Sequence, residues 1–121
     1  MPDDRSPDED RSAPAARDAP APVAGPAAGD RVTMALAITG RVQGVGYRWW
    51  FEGQARRYGL DGWVRNRRDG SVEALISGPR AAVQTVIRRA QDGPPAARVE
   101  AVRSSPAEAP EAPGFRRKST V

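Results

Sequence analysis

The sequence predicts an α+β fold of the split β-α-β type, in which an antiparallel sheet carries two helices on one face. The first observation behind this prediction is an alternation of large apolar residues with period two, which is typical of half-buried strands. The second is a pair of segments with helical spacing, each lying between two strand-like segments. The third is that glycines, prolines and an Asp-Gly pair separate these segments, which gives the element order β-α-β-β-α-β.

The first half of the predicted domain begins with a strand at residues 32–39. Its large apolar residues occupy alternate positions and are expected to face inward, namely Val32, Met34, Leu36 and Ile38. Three glycines between residues 40 and 46 then exclude a regular element across that stretch. A helix is predicted from Tyr47 to Tyr58, with Gly59 as its C-terminal cap and with one apolar face made by Phe51, Ala55 and Tyr58.

The second half begins with two short strands, 62–66 and 71–77, which the Asp69-Gly70 pair joins as a hairpin. A second amphipathic helix is marked by apolar residues at helical spacing, Val83, Val86, Ile87 and Ala90. A weaker strand at 98–103 and a short edge strand at 114–117 follow, with a loop from residue 104 between them. This order is that of the ferredoxin-like sandwich, a fold that hosts enzymes, RNA binders and regulatory modules alike.

The 121-residue chain divides by composition into a tail, residues 1–30, and one domain, residues 31–118. The tail is mostly Ala, Pro, Gly and Asp, with Val23 as its only large apolar residue after Met1, and we predict that it is disordered. It carries three bases and seven acids, 3 − 7 = −4, whereas residues 31–121 carry sixteen bases and eight acids, 16 − 8 = +8. A basic domain favours anionic ligands, without separating nucleic acid from a small phosphate.

The chain contains no cysteine and no histidine. The missing cysteines exclude disulfides, thiolate nucleophiles and cysteine-based zinc sites. The missing histidines exclude the side chain that most often acts as a general base near neutral pH. No apolar run approaches the ~20 residues of a membrane helix, and the N-terminus is acidic where a secretion signal would begin with basic residues. We therefore expect a cytoplasmic protein, and a small monomer.

The glycine-rich stretch between the first strand and the first helix has the features of an anion site. Glycines allow successive backbone N–H groups to converge, and the first turn of a helix adds unpaired N–H groups with a partial positive charge. Arg48 at this helix start opposes the helix dipole, and a bound anion would reverse the sign of that interaction. Its guanidinium can also hold two phosphate oxygens at once. The alternative is that Arg48 only covers apolar surface. The stretch matches neither the Walker A nor the GxGxxG pattern.

Two motifs in the sequence resemble the two signatures of the acylphosphatase family. The run Gly40-Arg41-Val42-Gln43-Gly44-Val45-Gly46-Tyr47-Arg48 closely resembles the first signature. The run Gly62-Trp63-Val64-Arg65-Asn66, followed by Asp69-Gly70-Ser71-Val72-Glu73, resembles the second. The similarity extends from about Val32 to Val102. It implies a ferredoxin-like fold and the hydrolysis of acyl phosphates to carboxylate and inorganic phosphate, without metal or cofactor.

The resemblance also implies roles for individual residues. Arg48 matches the family's phosphate-binding arginine, and Asn66 matches its water-positioning asparagine. Backbone N–H groups are expected to assist phosphate binding from Gln43, Gly44, Val45, Gly46 and Tyr47. Tyr47 stands where the family usually has phenylalanine, so its hydroxyl needs a partner or solvent. From the residues alone, the preferred interpretation of Asn66 is a strand-end residue that prepares the following turn, and only the resemblance favours catalysis.

The remaining aromatic and basic residues receive structural predictions. We expect Trp63 in the core, together with one of Trp49 and Trp50. Three arginines are predicted to lie on the solvated surface: Arg65, Arg67 and Arg68.

Two alternative functions use the same predicted fold. One is a nucleic-acid-binding module, which the charge of the domain favours. An RNA-recognition sheet would, however, display aromatic residues on its central strands, and residues 71–77 contain none. The other is a non-catalytic phosphate-binding module, which would keep the glycine-rich stretch but would not need Asn66. The asparagine therefore favours an enzyme.

Overall fold

The structure is a computed structural model that describes residues 30–121. The predicted disordered tail lies outside the described residues, apart from Asp30. Residues 31–121 form one compact unit. Its elements in chain order are β1 (Arg31–Arg41), α1 (Tyr47–Arg57), β2 (Asp61–Asn66), β3 (Val72–Pro79), α2 (Arg80–Ala90), β4 (Arg98–Pro106) and β5 (Phe115–Arg117).

The strands form one five-stranded sheet in the order β4-β1-β3-β2-β5. The four long strands pair antiparallel, β1 with β3 and β4, and β2 with β3. This arrangement confirms the predicted ferredoxin-like fold. The short β5 runs parallel to β2 and makes the sheet mixed, with Val64 of β2 opposite Arg117 of β5. Among residues 30–121, no helix is long and apolar enough to cross a membrane.

The core lies between the sheet and the two helices. Strand residues two apart are fully buried, as the period-two pattern predicts: Leu36, Ile38, Val64, Val72, Ala74 and Ile76. The helices contribute Phe51, Ala55, Val83, Val86 and Ala90. Burial of each large apolar side chain stabilises the fold by about 1.5–3 kcal/mol, so this layer holds both helices against one face of the sheet.

Three strands end later than predicted: β1 at Arg41, β3 at Pro79 rather than Ser77, and β4 at Pro106. β1 continues through Gly40 to Arg41, where the glycines predicted no regular element, because β4 pairs with it across a register shift at Thr39 and Gly40. A Cβ at Gly40 would lie 2.2 Å from the carbonyl oxygen of Arg98, so only glycine permits this approach. β4 extends to Pro106 rather than ending before Ser104, because its last residues pair with the start of β1.

The prediction that Trp63 lies in the core is wrong. The alternation along β2 turns Gly62 and Val64 towards the helices and Trp63 towards the opposite sheet face. There the Trp63 ring lies 4.6 Å from the guanidinium of Arg65 and 4.8 Å from the ammonium of Lys118, both as cation–π contacts. Arg65 lies on the same outer face, where its side chain is 23% exposed and pairs with Glu73, so the solvated position predicted for it is met only in part.

The prediction for the two helix tryptophans is confirmed. Trp50 packs partly buried against the core, with its ring centroid 5.4 Å from that of Tyr47. Trp49 is 71% exposed. Adjacent positions on a helix point about 100° apart, so one residue of such a pair faces the core and the other does not.

Candidate active site

Residues 42–46, which we call the glycine loop, connect β1 to α1. Val42 is fully buried and anchors the start of the loop, while Gly46 caps the helix in a left-handed conformation, with φ +82°. Within the described residues, no backbone N–H of Gln43, Gly44, Val45 or Gly46 donates to a backbone carbonyl. Tyr47, as the first helical residue, has no intrahelical acceptor for its N–H. Consecutive free N–H groups of this kind form an anion-binding concavity.

Arg48 lies half-buried in the first turn of α1. Glu52 is four residues further along and would be its usual helical partner. Glu52 instead pairs with Arg56 at 2.8 Å and with Arg117 at 2.9 Å. Within residues 30–121 the Arg48 guanidinium makes no hydrogen bond or ion pair. It is therefore available to an anion in the glycine loop.

Asn66 is the last residue of β2 and lies on the same strand face as Val64. Its backbone pairs with Val72 of β3, and its carbonyl oxygen accepts a hydrogen bond from the N–H of Val121 at 3.2 Å. Its side-chain amide has no partner among the described residues. The following turn is therefore built without the Asn66 side chain.

Residues 67–71, which we call the hairpin turn, connect β2 to β3. The Asp69 carboxylate accepts hydrogen bonds from the N–H and the hydroxyl of Ser71, at 2.9 and 2.6 Å. The hydroxyl bond, followed by the backbone bond, holds the pKa of Asp69 below its usual value. Gly70 donates to the carbonyl of Arg67, and Arg67 donates to that of Ser71. These bonds hold the turn from within, while the Arg68 N–H donates to the carbonyl oxygen of Val121, and the structural role predicted for Asp69-Gly70 is confirmed.

The side chain of Gln43 joins the glycine loop to the hairpin turn. Its Nε2 donates to the carbonyl oxygens of Arg67 at 2.6 Å and Ser71 at 2.8 Å. The sequence predicted a role for Gln43 only through its backbone N–H. The structure adds that the side chain ties the loop to the segment that follows Asn66.

Tyr47 anchors the other end of the glycine loop. Its ring is 1% exposed, and its hydroxyl donates to the carbonyl oxygen of Ala90 at the end of α2, at 2.7 Å. Burial raises the pKa of Tyr47, so the hydroxyl stays protonated as a donor. The hydroxyl that distinguishes Tyr47 from phenylalanine therefore has its partner inside the protein.

Arg48 and Asn66 come together in one open cavity of about 150 Å³, roughly ten times the space that one water molecule needs. The lining residues are Val42, Gly44, Gly46, Tyr47, Arg48, Trp49, Asn66 and Arg117. Of the predicted loop residues, Gln43 and Val45 do not line it, because Gln43 reaches the hairpin turn and Val45 packs against the core.

Sequence reasoning missed Arg117 in this cavity. Its place depends on the parallel pairing of β5 with β2, across about 50 residues of chain, and no local pattern signals that pairing. Trp49 was considered only as a core residue, although its exposure at the rim follows from its neighbour Trp50 facing inward. As for metals, the described part of the chain contains no group of three or more His, Cys, Asp or Glu that could hold one.

Among the described residues, a guanidinium and several backbone N–H groups without protein partners meet at a small open cavity on a ferredoxin-like scaffold, an arrangement suited to a single phosphate-like anion. The chain belongs to the acylphosphatase family, whose sequence model matches residues 34–117. An acylphosphatase from Rhodospirillum rubrum is 49% identical over 89 residues, a match that covers 74% of this chain and 98% of that protein.

Solved structures show the same relationship. An acylphosphatase from Coxiella burnetii matches with a TM-score of 0.70 and 28% identity, over 73% of this chain and 93% of that chain. An acylphosphatase from Bacillus subtilis matches with a TM-score of 0.69 and 33% identity, over 72% of this chain and 98% of that chain. These matches confirm the predicted family, the fold class and the assignment as an acylphosphatase enzyme.

Proposed function

We propose that Arg48 and the glycine loop bind the phosphate of a small acyl phosphate, and that Asn66 orients the water that attacks it. The products are a carboxylate and inorganic phosphate. The observation that carries this assignment is that Arg48 and Asn66, whose side chains lack partners among the described residues, line one cavity. Side chains that complete no internal network are the ones left to act on a ligand.

The phosphate would occupy the concavity formed by the glycine loop. Backbone N–H groups and the start of α1 supply donors and partial positive charge, and Arg48 adds a full charge with a fork of donors. The transition state of phosphoryl transfer is loose and spreads charge over the equatorial oxygens. Fixed donors aimed at those oxygens stabilise it without reorganisation.

The leaving group needs no proton from the enzyme. A carboxylate has a pKa of roughly 4 and is already stable as an anion near neutral pH. A general acid is therefore dispensable, which agrees with a chain that contains no histidine. Metal-independent turnover is part of the proposal and is tested below with a chelator.

The attacking water needs orientation and then a proton acceptor. The Asn66 amide can orient the water but cannot take its proton at neutral pH. Two carboxylates close to Asn66 in sequence are engaged elsewhere, Asp69 with Ser71 and Glu73 with Arg65 and Arg67. The lowered pKa of Asp69 also makes it a weaker base. The proton therefore passes to a phosphate oxygen or to solvent.

The deciding experiment measures hydrolysis of benzoyl phosphate in excess chelator by the wild type, Arg48→Ala and Arg57→Ala. Removing one transition-state donor of this kind lowers turnover by about 100- to 1,000-fold, and we expect at least that loss for Arg48→Ala. Arg57 is the matched control, because it lies exposed in the same helix and, within residues 30–121, its guanidinium interacts only with the ring of Tyr58. Its removal should leave the rate unchanged.

The outcome separates the proposal from the non-catalytic alternative. Chelator-resistant turnover that Arg48→Ala abolishes and Arg57→Ala preserves supports the proposed site. A folded wild type that binds phosphate but hydrolyses no acyl phosphate would contradict the proposal. We propose further that the enzyme acts in the cytoplasm as a monomer, which cell fractionation and gel filtration test.

A further inference from the structure

Arg117 is a second arginine on the cavity that contains Arg48 and Asn66. It lies at the end of β5, opposite Val64 of the neighbouring β2. Phe115, two residues earlier, is buried against Phe51 of α1, so the helix-facing side of β5 includes positions 115 and 117. The position of Arg116 between them directs its side chain to the opposite face. The side chain of Arg117 thus reaches the cavity from the β2 side, where Asn66 also lies.

The Glu52 carboxylate holds Arg117 in this position. Its Oε1 lies 2.9 Å from Nε of Arg117, and its Oε2 lies 2.8 Å from Nη2 of Arg56. One carboxylate therefore serves two guanidinium groups, and 2 − 1 leaves one positive charge uncompensated. A guanidinium has five N–H donors, and a single carboxylate oxygen cannot occupy all of them. Arg117 keeps donors and charge for an anion in the cavity.

We propose that Arg117 is a second cationic group of the anion site and binds an oxygen of the phosphate on the side of the attacking water. This inference rests on the proposed function, in which the cavity holds the phosphate. In an in-line displacement the water and the leaving acyl group lie on opposite sides of phosphorus. Arg117 shares the side of Asn66, so it contacts the phosphoryl group rather than the acyl group.

The charge of the ligand supports a second cation. A phosphate group carries close to two negative charges near neutral pH, because its second pKa is about 6. Arg48 supplies one full positive charge, and the second comes from the charge that Glu52 leaves uncompensated on Arg56 and Arg117. Glu52 does not pair with Arg48, because Arg56 and Arg117 already occupy its two carboxylate oxygens.

The expected effect is moderate. The Arg117 side chain is 48% exposed, so solvent screens its charge. A hydrogen bond to a charged group at such a site corresponds to about a fivefold change in affinity. Loss of the Arg117 guanidinium should raise the dissociation constant of inorganic phosphate and the KM of an acyl phosphate by similar factors.

The test measures the dissociation constant of inorganic phosphate by isothermal titration calorimetry on the full chain. Arg117→Gln should weaken phosphate binding about fivefold, and Arg117→Lys, which keeps a point charge, should retain more than half of the affinity. Arg116→Gln is the matched control, because it removes the same charge from the adjacent residue on the other face of β5. It should change the dissociation constant of phosphate by less than about twofold. Because inorganic phosphate has no acyl group, a larger dissociation constant in Arg117→Gln would assign the Arg117 contact to the phosphoryl group.

The outcomes separate this inference from the proposed function. If Arg117→Gln and Arg116→Gln bind phosphate with equal dissociation constants while Arg48→Ala binds it much more weakly, the inference is overturned. Unchanged phosphate binding in Arg48→Ala overturns the proposed site itself. If thermal unfolding shows that Arg117→Gln is not folded, Arg117→Met, which keeps the aliphatic length, repeats the same comparison.

Discussion

The glycine loop and the hairpin turn are neighbours that Gln43 joins, and they use their polar groups in opposite ways. Each is five residues long and contains a glycine with a left-handed backbone, Gly46 at φ +82° and Gly70 at φ +97°. In the hairpin turn, donors and acceptors of Arg67, Asp69, Gly70 and Ser71 bond to one another. In the glycine loop, backbone N–H groups find no carbonyl among the described residues.

This difference separates a structural turn from a binding loop. Backbone polar groups in folded proteins are nearly always satisfied, so a run of free donors beside a cavity indicates a ligand or solvent partner. A turn that satisfies its own groups has a stability role and little capacity to bind. The two uses meet between Asn66, whose side-chain amide has no partner within residues 30–121, and Arg67, whose backbone belongs to the hairpin turn.

Among the substitutions that test this comparison, the largest effect is expected for Asn66→Ala. A misplaced attacking water lowers turnover by about 100-fold, whereas the unfolding midpoint should stay unchanged, since the amide has no partner among the described residues. Steady-state kinetics with benzoyl phosphate and thermal unfolding measure the two quantities. Arg68→Ala, two positions further and exposed in the hairpin turn, should alter neither. Full activity in Asn66→Ala would contradict a catalytic role for Asn66 and assign this residue to the structural part of the hairpin.

Gly46 of the glycine loop and Gly70 of the hairpin turn, both with positive φ, give a matched pair of variants. A Cβ at either Gly46 or Gly70 meets nothing within 4 Å, so alanine there changes only the backbone preference. Each substitution should lower the free energy of unfolding by about 1–2 kcal/mol. Only Gly46→Ala should also lower kcat/KM, by about tenfold or more, because a shift of the donors by even 1 Å is costly. Denaturant unfolding and kinetics of both variants measure this, and equal activity losses would contradict the comparison.

Gln43→Ala tests the connection between the two regions. It removes two hydrogen bonds to carbonyls that also accept backbone donors, so the free energy of unfolding should fall by about 1–2 kcal/mol. Activity should fall severalfold, since the glycine loop is no longer tied to the segment after Asn66. Gln54→Ala is the control, because its amide oxygen accepts from Arg89 and joins the two helices away from the cavity. That variant should lose stability and keep its activity; activity lost equally in both would argue against a specific role for the bridge.

The smallest effect is a pH dependence at Asp69. The folded pKa of this carboxyl lies below its unfolded value, so its contribution to stability is complete above an unfolded pKa of about 3.9 and is lost as the pH falls through the folded pKa. Asp69→Asn should therefore be less stable than the wild type at neutral pH, and the difference should disappear on acidification. Urea unfolding of both proteins across the acid range measures it, with activity at neutral pH unchanged. A difference that grows at low pH would contradict the assignment.

Much of the site was predictable because its signals are local. The glycines between residues 40 and 46, the Arg48 that follows them and the Asp69-Gly70 pair each act through backbone conformation within a few residues. The period-two pattern of β3 and the helical spacing of α2 likewise predicted which residues face the core. From its own neighbourhood, Asn66 was predicted to be a structural strand-end residue, and only the family resemblance favoured a catalytic role.

The sequence alone predicted the order of the elements, the anion-binding character of the glycine loop and, through the family resemblance, the proposed roles of Arg48 and Asn66. Only the tertiary structure decided that Arg117 shares their cavity and that Glu52 pairs with Arg56 and Arg117 instead of Arg48. It also decided that Trp63 lies on the sheet face opposite the helices. Local conformation follows from short-range sterics and periodicity, which a sequence carries in neighbouring residues. Side-chain partners across strands follow from strand order and register, which exist only once distant segments pair.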